Sequence, residues 1–124
     1  MVIDTSALIA IALGEPSRGR LLEALEPERR RAVSSISLLE AGIVLRARLG
    51  SAAPALLYQL VEELASEVVP FDELQARMAI AAFGRLGNLN FGDCAVYALA
   101  AFRSEPVLAT GNDFAATDLT VCRP

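Results

Sequence analysis

The segment Met1-Val2-Ile3-Asp4-Thr5-Ser6-Ala7-Leu8 places one carboxylate between a β-branched pair and an apolar helical stretch. Val2 and Ile3 predict a short buried strand, and residues 7–13 have the composition of a helix, so Asp4 falls at a strand-to-helix turn. In open parallel sheets, ligands bind at the carboxyl ends of the strands, where this turn would lie. Asp4 is therefore a candidate ligand-binding residue. Its position alone leaves open the alternative that Asp4 or Thr5 only caps the first helix.

Short apolar strands alternate with helical stretches along the rest of the chain. We expect strands at 2–4, 32–34, 67–70, 106–109 and 119–123, and helices at 7–13, 17–25, 37–48, 54–65, 72–83 and 92–102. Strands separated by helices indicate a parallel sheet that is covered on both faces. The sequence thus predicts a single domain over residues 1–124. Its expected fold class is α/β, a three-layer α/β/α sandwich with a central, mainly parallel sheet of four to five short strands.

The composition excludes several kinds of catalytic site. All 11 basic residues are Arg, and the chain has neither Lys nor His. Without His, a Ser-His-Asp triad, a Cys-His pair and a His-ligated zinc site are impossible. The net charge of −4 argues against broad electrostatic binding of nucleic acid but permits a local Arg-lined surface. Any chemistry must therefore use carboxylates, hydroxyls or Arg, with or without a metal ion.

Other features of the sequence point to an ordinary cytoplasmic protein. No apolar run approaches the roughly 18 residues of a membrane span, and no signal-peptide pattern is present, so we expect a soluble cytoplasmic protein. Cys94 and Cys122 lie in apolar contexts and are expected to be reduced core residues. The charged run at 26–31 is interpreted as a solvated loop, with phosphate contact by its three arginines as the alternative.

Three further carboxylates lie at the ends of apolar elements. Glu40 is the only charge in its stretch and forms a Ser-x-x-Glu capping pattern with Ser37. Asp93 opens the most apolar helix, where Asn90 could act as the cap. Asp113 directly follows a predicted buried strand. Each acid has a capping interpretation when it is taken singly, but the junctions that carry them meet at one edge of a parallel sheet.

Four carboxylates gathered at one edge would repel each other by about 4 kcal/mol per pair at 4 Å and an effective dielectric near 20. A divalent cation would remove this repulsion. Oxygen ligands without His or Cys select Mg²⁺ or Mn²⁺, ions that activate water for displacement at phosphorus. The sequence therefore predicts metal-dependent hydrolysis of a phosphodiester.

Four motifs together resemble one known family. They are the N-terminal Val-Ile-Asp-Thr-Ser-Ala-Leu, the Ser-x-x-Glu at 37–40, Leu-Asn-Phe-Gly-Asp-Cys at 89–94 and Thr-Gly-Asn-Asp-Phe at 110–114. The chain resembles PIN-domain ribonucleases and, more narrowly, the VapC toxins of bacterial toxin-antitoxin pairs. The resemblance implies an endoribonuclease that cleaves tRNA or rRNA and inhibits translation. It also implies a homodimer and a small VapB-like antitoxin whose tail blocks the acidic groove.

The resemblance also implies roles for particular residues. The catalytic and metal-binding acids would be Asp4, Glu40, Asp93 and Asp113. Supporting polar groups would come from Ser6, Thr110 and Asn112, and Asp118 is a further candidate for the fourth acid. The chain departs from many relatives at 84–88, where the loop is short and lacks their basic, Gly- and His-containing sequence. Arg85 is a candidate for part of that loop's phosphate contact, and a surface Arg at a helix end is the alternative.

Three other interpretations remain to be weighed. A haloacid-dehalogenase-like phosphatase would need an acid two residues after Asp4, where this chain has Ser6. A phospho-accepting receiver domain would need a Lys, and the chain has none. A PIN-like protein with lost or weak nuclease activity, acting mainly through antitoxin and operator DNA, is the third possibility. The presence of all four acids argues against it.

Overall fold

Five short parallel strands form the centre of the protein, which we describe from a computed structural model covering residues 1–86 and 89–124. The strands are β1 (Val2–Ile3), β2 (Ala32–Ser34), β3 (Glu67–Val69), β4 (Val107–Leu108) and β5 (Val121–Cys122). Their order across the sheet is β3-β2-β1-β4-β5, and every neighbouring pair is parallel. The first strand therefore lies in the middle of the sheet, with Val2 opposite both Ala32 and Val107.

Six helices in the described residues cover the two faces of this sheet. They are α1 (Thr5–Leu13), α2 (Arg18–Leu25), α3 (Ser35–Leu49), α4 (Ala53–Glu63), α5 (Glu73–Phe83) and α6 (Phe91–Arg103). Successive residues of β1 belong to different cores, because side chains alternate between the faces of a strand. Ile3 packs with residues of α1 to α4, whereas Val2 packs with residues of α5 and α6. The predicted three-layer α/β/α sandwich is confirmed.

Helix α3 begins earlier than its sequence pattern predicted. Its N-cap is Ser34, whose hydroxyl oxygen accepts a hydrogen bond from the backbone N–H of Ile36 at 3.2 Å. Strand β2 passes directly into the helix, so Ser34 meets the first free N–H groups before Ser37 can. Ser37 is fully buried inside the helix, and its Oγ has no hydrogen-bond partner among the described residues. The predicted capping box of Ser37 and Glu40 is therefore wrong.

Asp72 and Gln75 fix the start of helix α5 through separate hydrogen bonds. Asp72 is the N-cap, and its Oδ1 accepts a hydrogen bond from the backbone N–H of Gln75 at 2.9 Å. The side chain of Gln75 does not return to Asp72; its Nε2 donates to the backbone oxygen of Pro70 instead. The carboxylate of Asp72 thus caps the helix, while the glutamine fixes the end of the preceding segment.

Several residues of the charged run at 26–31 contact the rest of the fold: the N-terminal amine donates to the backbone oxygen of Arg30 at 2.7 Å and lies 3.8 Å from Oε2 of Glu28. Arg31 donates from Nη1 to the backbone oxygen of Leu64 and from Nε to that of Glu28, so this arginine joins two loops. Cys94 and Cys122 are free thiols, as expected, with Cys94 buried. None of the helices in the described ranges is long and apolar enough to cross a membrane. Two residues of the short loop noted above, Gly87 and Asn88, lie outside the described residues.

Candidate active site

Asp4 lies at the carboxyl end of the central strand and is also the N-cap of α1. Its carboxylate accepts a hydrogen bond from the backbone N–H of Ser6 at 2.9 Å and a second, short one from the Ser6 hydroxyl. The side chain is only 5% exposed because strands lie on both sides of β1. Capping and site formation are thus compatible: the same carboxylate ends the strand, starts the helix and faces the edge where ligands bind in parallel sheets.

Glu40 reaches the same region from helix α3. It lies in the second turn of that helix, and its Oε2 accepts a hydrogen bond from the Thr5 hydroxyl at 3.0 Å. Its charge acts on Asp4 and contributes to the raised pKa of that carboxyl. Packing of α1 against α3 brings together two acids that are 36 positions apart in the sequence.

Asp93 is held by a reciprocal capping box at the start of α6. The Asn90 side chain accepts from the backbone N–H of Asp93 at 2.8 Å, and Asp93 Oδ2 accepts from the backbone N–H of Asn90 at 2.9 Å. The predicted cap at Asn90 is therefore confirmed. Only 8% of Asp93 is exposed, and the partial positive charge at the helix N-terminus favours its anionic form.

Asp113 lies on the loop between β4 and β5 and is exposed to solvent. One of its oxygens lies so close to Gly111 that a Cβ on that glycine would be 2.9 Å from Oδ2. Two contacts anchor the loop: the backbone N–H of Thr110 donates to the Ser6 hydroxyl at 3.1 Å, and Phe114 is buried in the core. Ser6 thus links the turn after β1 to the turn after β4.

The charges of these acids act on one another. Burial raises the pKa of Asp4, with the nearby charge of Glu40 as a smaller cause, against the hydrogen bonds from Ser6 and Thr5, which lower it. Burial also raises the pKa of Asp93, and the charges of Asp4 and Asp113 add to this effect. Asp4 therefore couples to Glu40 on one side and to Asp93 on the other, and Asp93 couples in turn to Asp113. The four predicted acids form one electrostatic cluster, which we call the acidic site.

No cation in residues 1–86 and 89–124 neutralises the acidic site. The ion pairs of this part of the chain involve the N-terminal amine, Arg77 and Arg103, and none includes one of the four acids. Among the described residues, no group of three or more His, Cys, Asp or Glu side chains has a geometry that could hold a metal ion without rearrangement. Instead, donors of the protein occupy individual carboxylate oxygens, as Ser6 does at Asp4 and Thr5 does at Glu40.

The predicted supporting residues take different positions. Ser6 contacts the site directly through Asp4. Thr110 reaches Ser6 through its backbone N–H, so the predicted role of its hydroxyl stays a prediction. The Asn112 side-chain oxygen accepts a hydrogen bond from Arg123, which ties the loop beside Asp113 to the end of β5.

Asp118 and Arg85 both lie beside the side chain of Tyr97. Asp118 accepts a hydrogen bond from the Tyr97 hydroxyl at 2.9 Å. Arg85 also lies close enough to this phenol to oppose the rise in its pKa, which burial mainly causes. Arg85 is exposed and lies just after the end of α5, which favours the alternative of a surface Arg at a helix end.

Sequence reasoning missed two residues at the acidic site, Thr5 and Gly92. Thr5 was considered only as a helix cap, yet its hydroxyl reaches Glu40. Gly92 was part of the quoted motif at 89–94, but no role was assigned to it; a Cβ at this position would overlap Oε2 of Glu40. A glycine next to an acid at a helix start was the available signal, and only the packing of α3 against α6 shows what the glycine accommodates.

Comparisons with known proteins agree with this geometry. The PIN domain family matches residues 1–119. Ribonuclease VapC28 of Mycobacterium tuberculosis is 43% identical, and the match covers 94% of this chain and 93% of that protein. The crystal structure of M. tuberculosis VapC20, described as a sarcin-ricin loop cleaving toxin, superposes with a TM-score of 0.84 over 99% of this chain and 98% of that one, at 21% identity.

A second solved structure is more similar in sequence. VapBC-5 from M. tuberculosis, a member of the VapBC family of toxin-antitoxin systems, has 30% identity and a TM-score of 0.72, with 99% of this chain and 97% of that one covered. The region that the PIN domain family matches, residues 1–119, includes the strand ends and helix starts that carry the four acids. The chain therefore belongs to the PIN-domain family and, within it, to the VapC ribonucleases.

Proposed function

We propose that this VapC ribonuclease is a Mg²⁺- or Mn²⁺-dependent endoribonuclease and that Asp4, Glu40, Asp93 and Asp113 are its catalytic and metal-binding residues. The observation that carries the proposal is the convergence of these acids at the carboxyl edge of the sheet: Thr5, next to Asp4, donates to Glu40, Gly92, next to Asp93, lies against the same carboxylate, and Ser6 ties Asp4 to the loop that carries Asp113. None of the ion pairs among the described residues includes one of the four acids. Burying like charges together is costly unless a cation compensates for them.

The donor set fits a hard divalent ion. All four side chains offer carboxylate oxygens, which Mg²⁺ and Mn²⁺ prefer, and the chain has no His to favour zinc. Some of these oxygens already accept hydrogen bonds within the protein, from Ser6 at Asp4 and from Thr5 at Glu40. Asp113 is exposed, so we infer that its side chain adjusts its position when an ion binds. When bound, the ion would supply an activated water and charge stabilisation at the phosphate.

The residues of the chain prepare this chemistry. Ser6 donates to Asp4 and so fixes the direction of the remaining lone pairs of that carboxylate. The capping box holds Asp93 at the N-terminus of α6, and Thr5 holds Glu40 near the N-terminus of α1. Helix N-termini favour anions, so the same ends of α1 and α6 would attract the phosphate of an RNA substrate.

The relatives support RNA as the substrate and a protein as the regulator. VapC28, at 43% identity, is named a ribonuclease, and VapBC-5, at 30% identity, belongs to a toxin-antitoxin family. We propose that this protein is the toxin of such a pair, that it cleaves tRNA or rRNA and thereby inhibits translation, and that a small antitoxin blocks the acidic site.

Exposed apolar side chains next to the site support protein partners. Phe91, which directly precedes the Gly92-Asp93 pair, is 80% exposed, and Ile80 and Phe83 of α5 are 74% and 60% exposed. These three residues line one apolar groove between α5 and α6. Apolar patches of this kind mark interaction sites. We propose that the antitoxin and a second copy of this chain are the partners.

Cleavage of small structured RNAs by the purified, antitoxin-free protein tests the enzymatic proposal. We expect cleavage with Mg²⁺ or Mn²⁺, none with EDTA, and a strong loss of activity in Asp93→Asn. The matched control is Asp72→Asn, which makes the same change at an exposed helix cap where Asn can also accept the hydrogen bond. Equal cleavage in EDTA, or full activity of Asp93→Asn, would refute the metal mechanism.

A further inference from the structure

The carboxylate of Glu40 is held where the first turns of two other helices meet. Thr5, the first residue of α1, donates its hydroxyl to Oε2 at 3.0 Å. Gly92, the second residue of α6, lies against the same carboxylate. Glu40 itself comes from α3, so three helices fix the position of one charged group. The partial positive charge of both helix N-termini favours an anion at this place.

Gly92 leaves room for the carboxylate because it has no side chain. A Cβ at this position would overlap Oε2 of Glu40, and it would lie 3.0 Å from Cδ and 3.3 Å from Oε1. The obstructing atoms form the end of a flexible side chain, and they belong neither to the backbone nor to the packed core. The protein can therefore relieve the overlap by moving the Glu40 carboxylate, without unfolding α6.

Gly42 provides an internal comparison, since it also lies within a helix. A Cβ on Gly42 would be 3.7 Å from Cδ2 of Leu57, which is an ordinary van der Waals distance. Alanine fits at position 42, and its higher helix propensity should stabilise α3. Of these two helical glycines, only Gly92 lies where an added methyl group would displace a group of the acidic site.

We propose that Gly92 and Thr5 are positioning residues that fix the Glu40 carboxylate for metal binding at the acidic site. Gly92 acts by leaving space, and Thr5 acts by donating a hydrogen bond to one oxygen. This role rests on the proposed function, because it matters only if Glu40 helps to hold an ion. Residues that orient a ligand without touching the metal commonly change metal affinity by 10-fold to 100-fold when they are replaced.

The first experiment tests the contact in EDTA, without any metal. Melting temperatures are measured for Gly92→Ala, Glu40→Ala and the double variant. Removing the Glu40 side chain removes the overlap, so we expect Gly92→Ala to raise the melting temperature more in the Glu40→Ala protein than in the wild type. Gly42→Ala is the control, and it should shift the melting temperature equally in both backgrounds.

The second experiment measures Mn²⁺ affinity from the electron paramagnetic resonance signal of free Mn²⁺. We expect Gly92→Ala and Thr5→Val each to weaken binding by about 10-fold or more, whereas Thr5→Ser keeps the donor and most of the affinity. Gly42→Ala should bind like the wild type. In the Glu40→Ala background, Gly92→Ala should cause no further loss, because the group that it displaces is gone.

The outcomes separate this inference from the proposed function. If the wild type binds Mn²⁺, Glu40→Ala binds it weakly and Gly92→Ala binds it normally, the positioning role is wrong and the metal site stands. Equal melting-temperature shifts from Gly92→Ala in both backgrounds would likewise overturn the positioning role alone. A wild-type protein that does not bind Mn²⁺ would overturn the proposed function and, with it, this role of Gly92 and Thr5.

Discussion

Tyr97 donates its phenolic hydrogen to Oδ1 of Asp118 at 2.9 Å, and this bond joins helix α6 to the loop between β4 and β5. Tyr97 is 4% exposed, and burial raises its pKa, with the charge of Asp118 acting in the same direction. The phenol therefore stays a neutral donor. Asp118 helps to hold the loop that carries Asp113, whereas the charge of Asp113 acts on Asp93.

Because Asp118 is bonded to Tyr97 and Asp113 acts on Asp93, we predict that Asp113 is the fourth acid of the metal site. Asp113→Asn should weaken Mn²⁺ binding by about 10-fold or more, because it removes a charge that couples to Asp93. Asp118→Asn should bind Mn²⁺ almost normally, since the amide oxygen of Asn can still accept the hydrogen bond from Tyr97. Isothermal titration with Mn²⁺ measures both variants. The opposite order of affinities would identify Asp118 as the metal-binding residue.

The start of helix α3 makes a prediction about stability. Ser34→Ala should lower the free energy of unfolding by about 1 kcal/mol, because it removes the side chain that caps Ile36. Ser37→Ala should leave this free energy unchanged or raise it, because the Ser37 hydroxyl is buried without a partner among the described residues. Urea unfolding of both variants measures the two values. A larger loss in Ser37→Ala than in Ser34→Ala would restore the capping box that the sequence pattern indicated.

The raised pKa of Asp4 predicts how stability depends on pH without metal. Burial disfavours the charged form, so native Asp4 keeps its proton at pH values where the unfolded chain has lost it. Its contribution to stability is therefore present at low pH and is lost as the pH rises from the usual value of 3.8 through the higher native pKa. Asn does not titrate, so Asp4→Asn should not lose this stability. In EDTA, its melting temperature relative to that of the wild type should therefore increase as the pH rises to 7.

Magnesium should reverse this order at pH 7. Under the proposed function Asp4 is a ligand of the ion, so Mg²⁺ should raise the melting temperature of the wild type more than that of Asp4→Asn. Asp72→Asn is the control, and it should respond to both pH and Mg²⁺ as the wild type does. Equal Mg²⁺ responses of wild type and Asp4→Asn would mean that Asp4 does not bind the ion.

Local sequence patterns predicted the elements well where short-range physics decides. The short apolar strands, the helical stretches between them and the cap at Asn90 could be predicted, because the groups involved are close in sequence. The capping pattern at Ser37 was wrong because the choice of cap depends on the sheet. Two serines, Ser34 and Ser37, both offered a cap, and the choice between them depended on where β2 ended in the sheet.

The sequence by itself determined the α/β class and the parallel sheet. It also made the four acids candidates for the site, because strand and helix junctions carry charges that the surrounding apolar residues do not explain. Only the tertiary structure decided how the acids couple and which neighbours hold them. Thr5 meets Glu40, Gly92 makes room for it, and Ser6 joins Asp4 to Thr110. These contacts depend on how α1, α3 and α6 pack on the sheet, and packing between residues so distant in sequence leaves no local pattern to read.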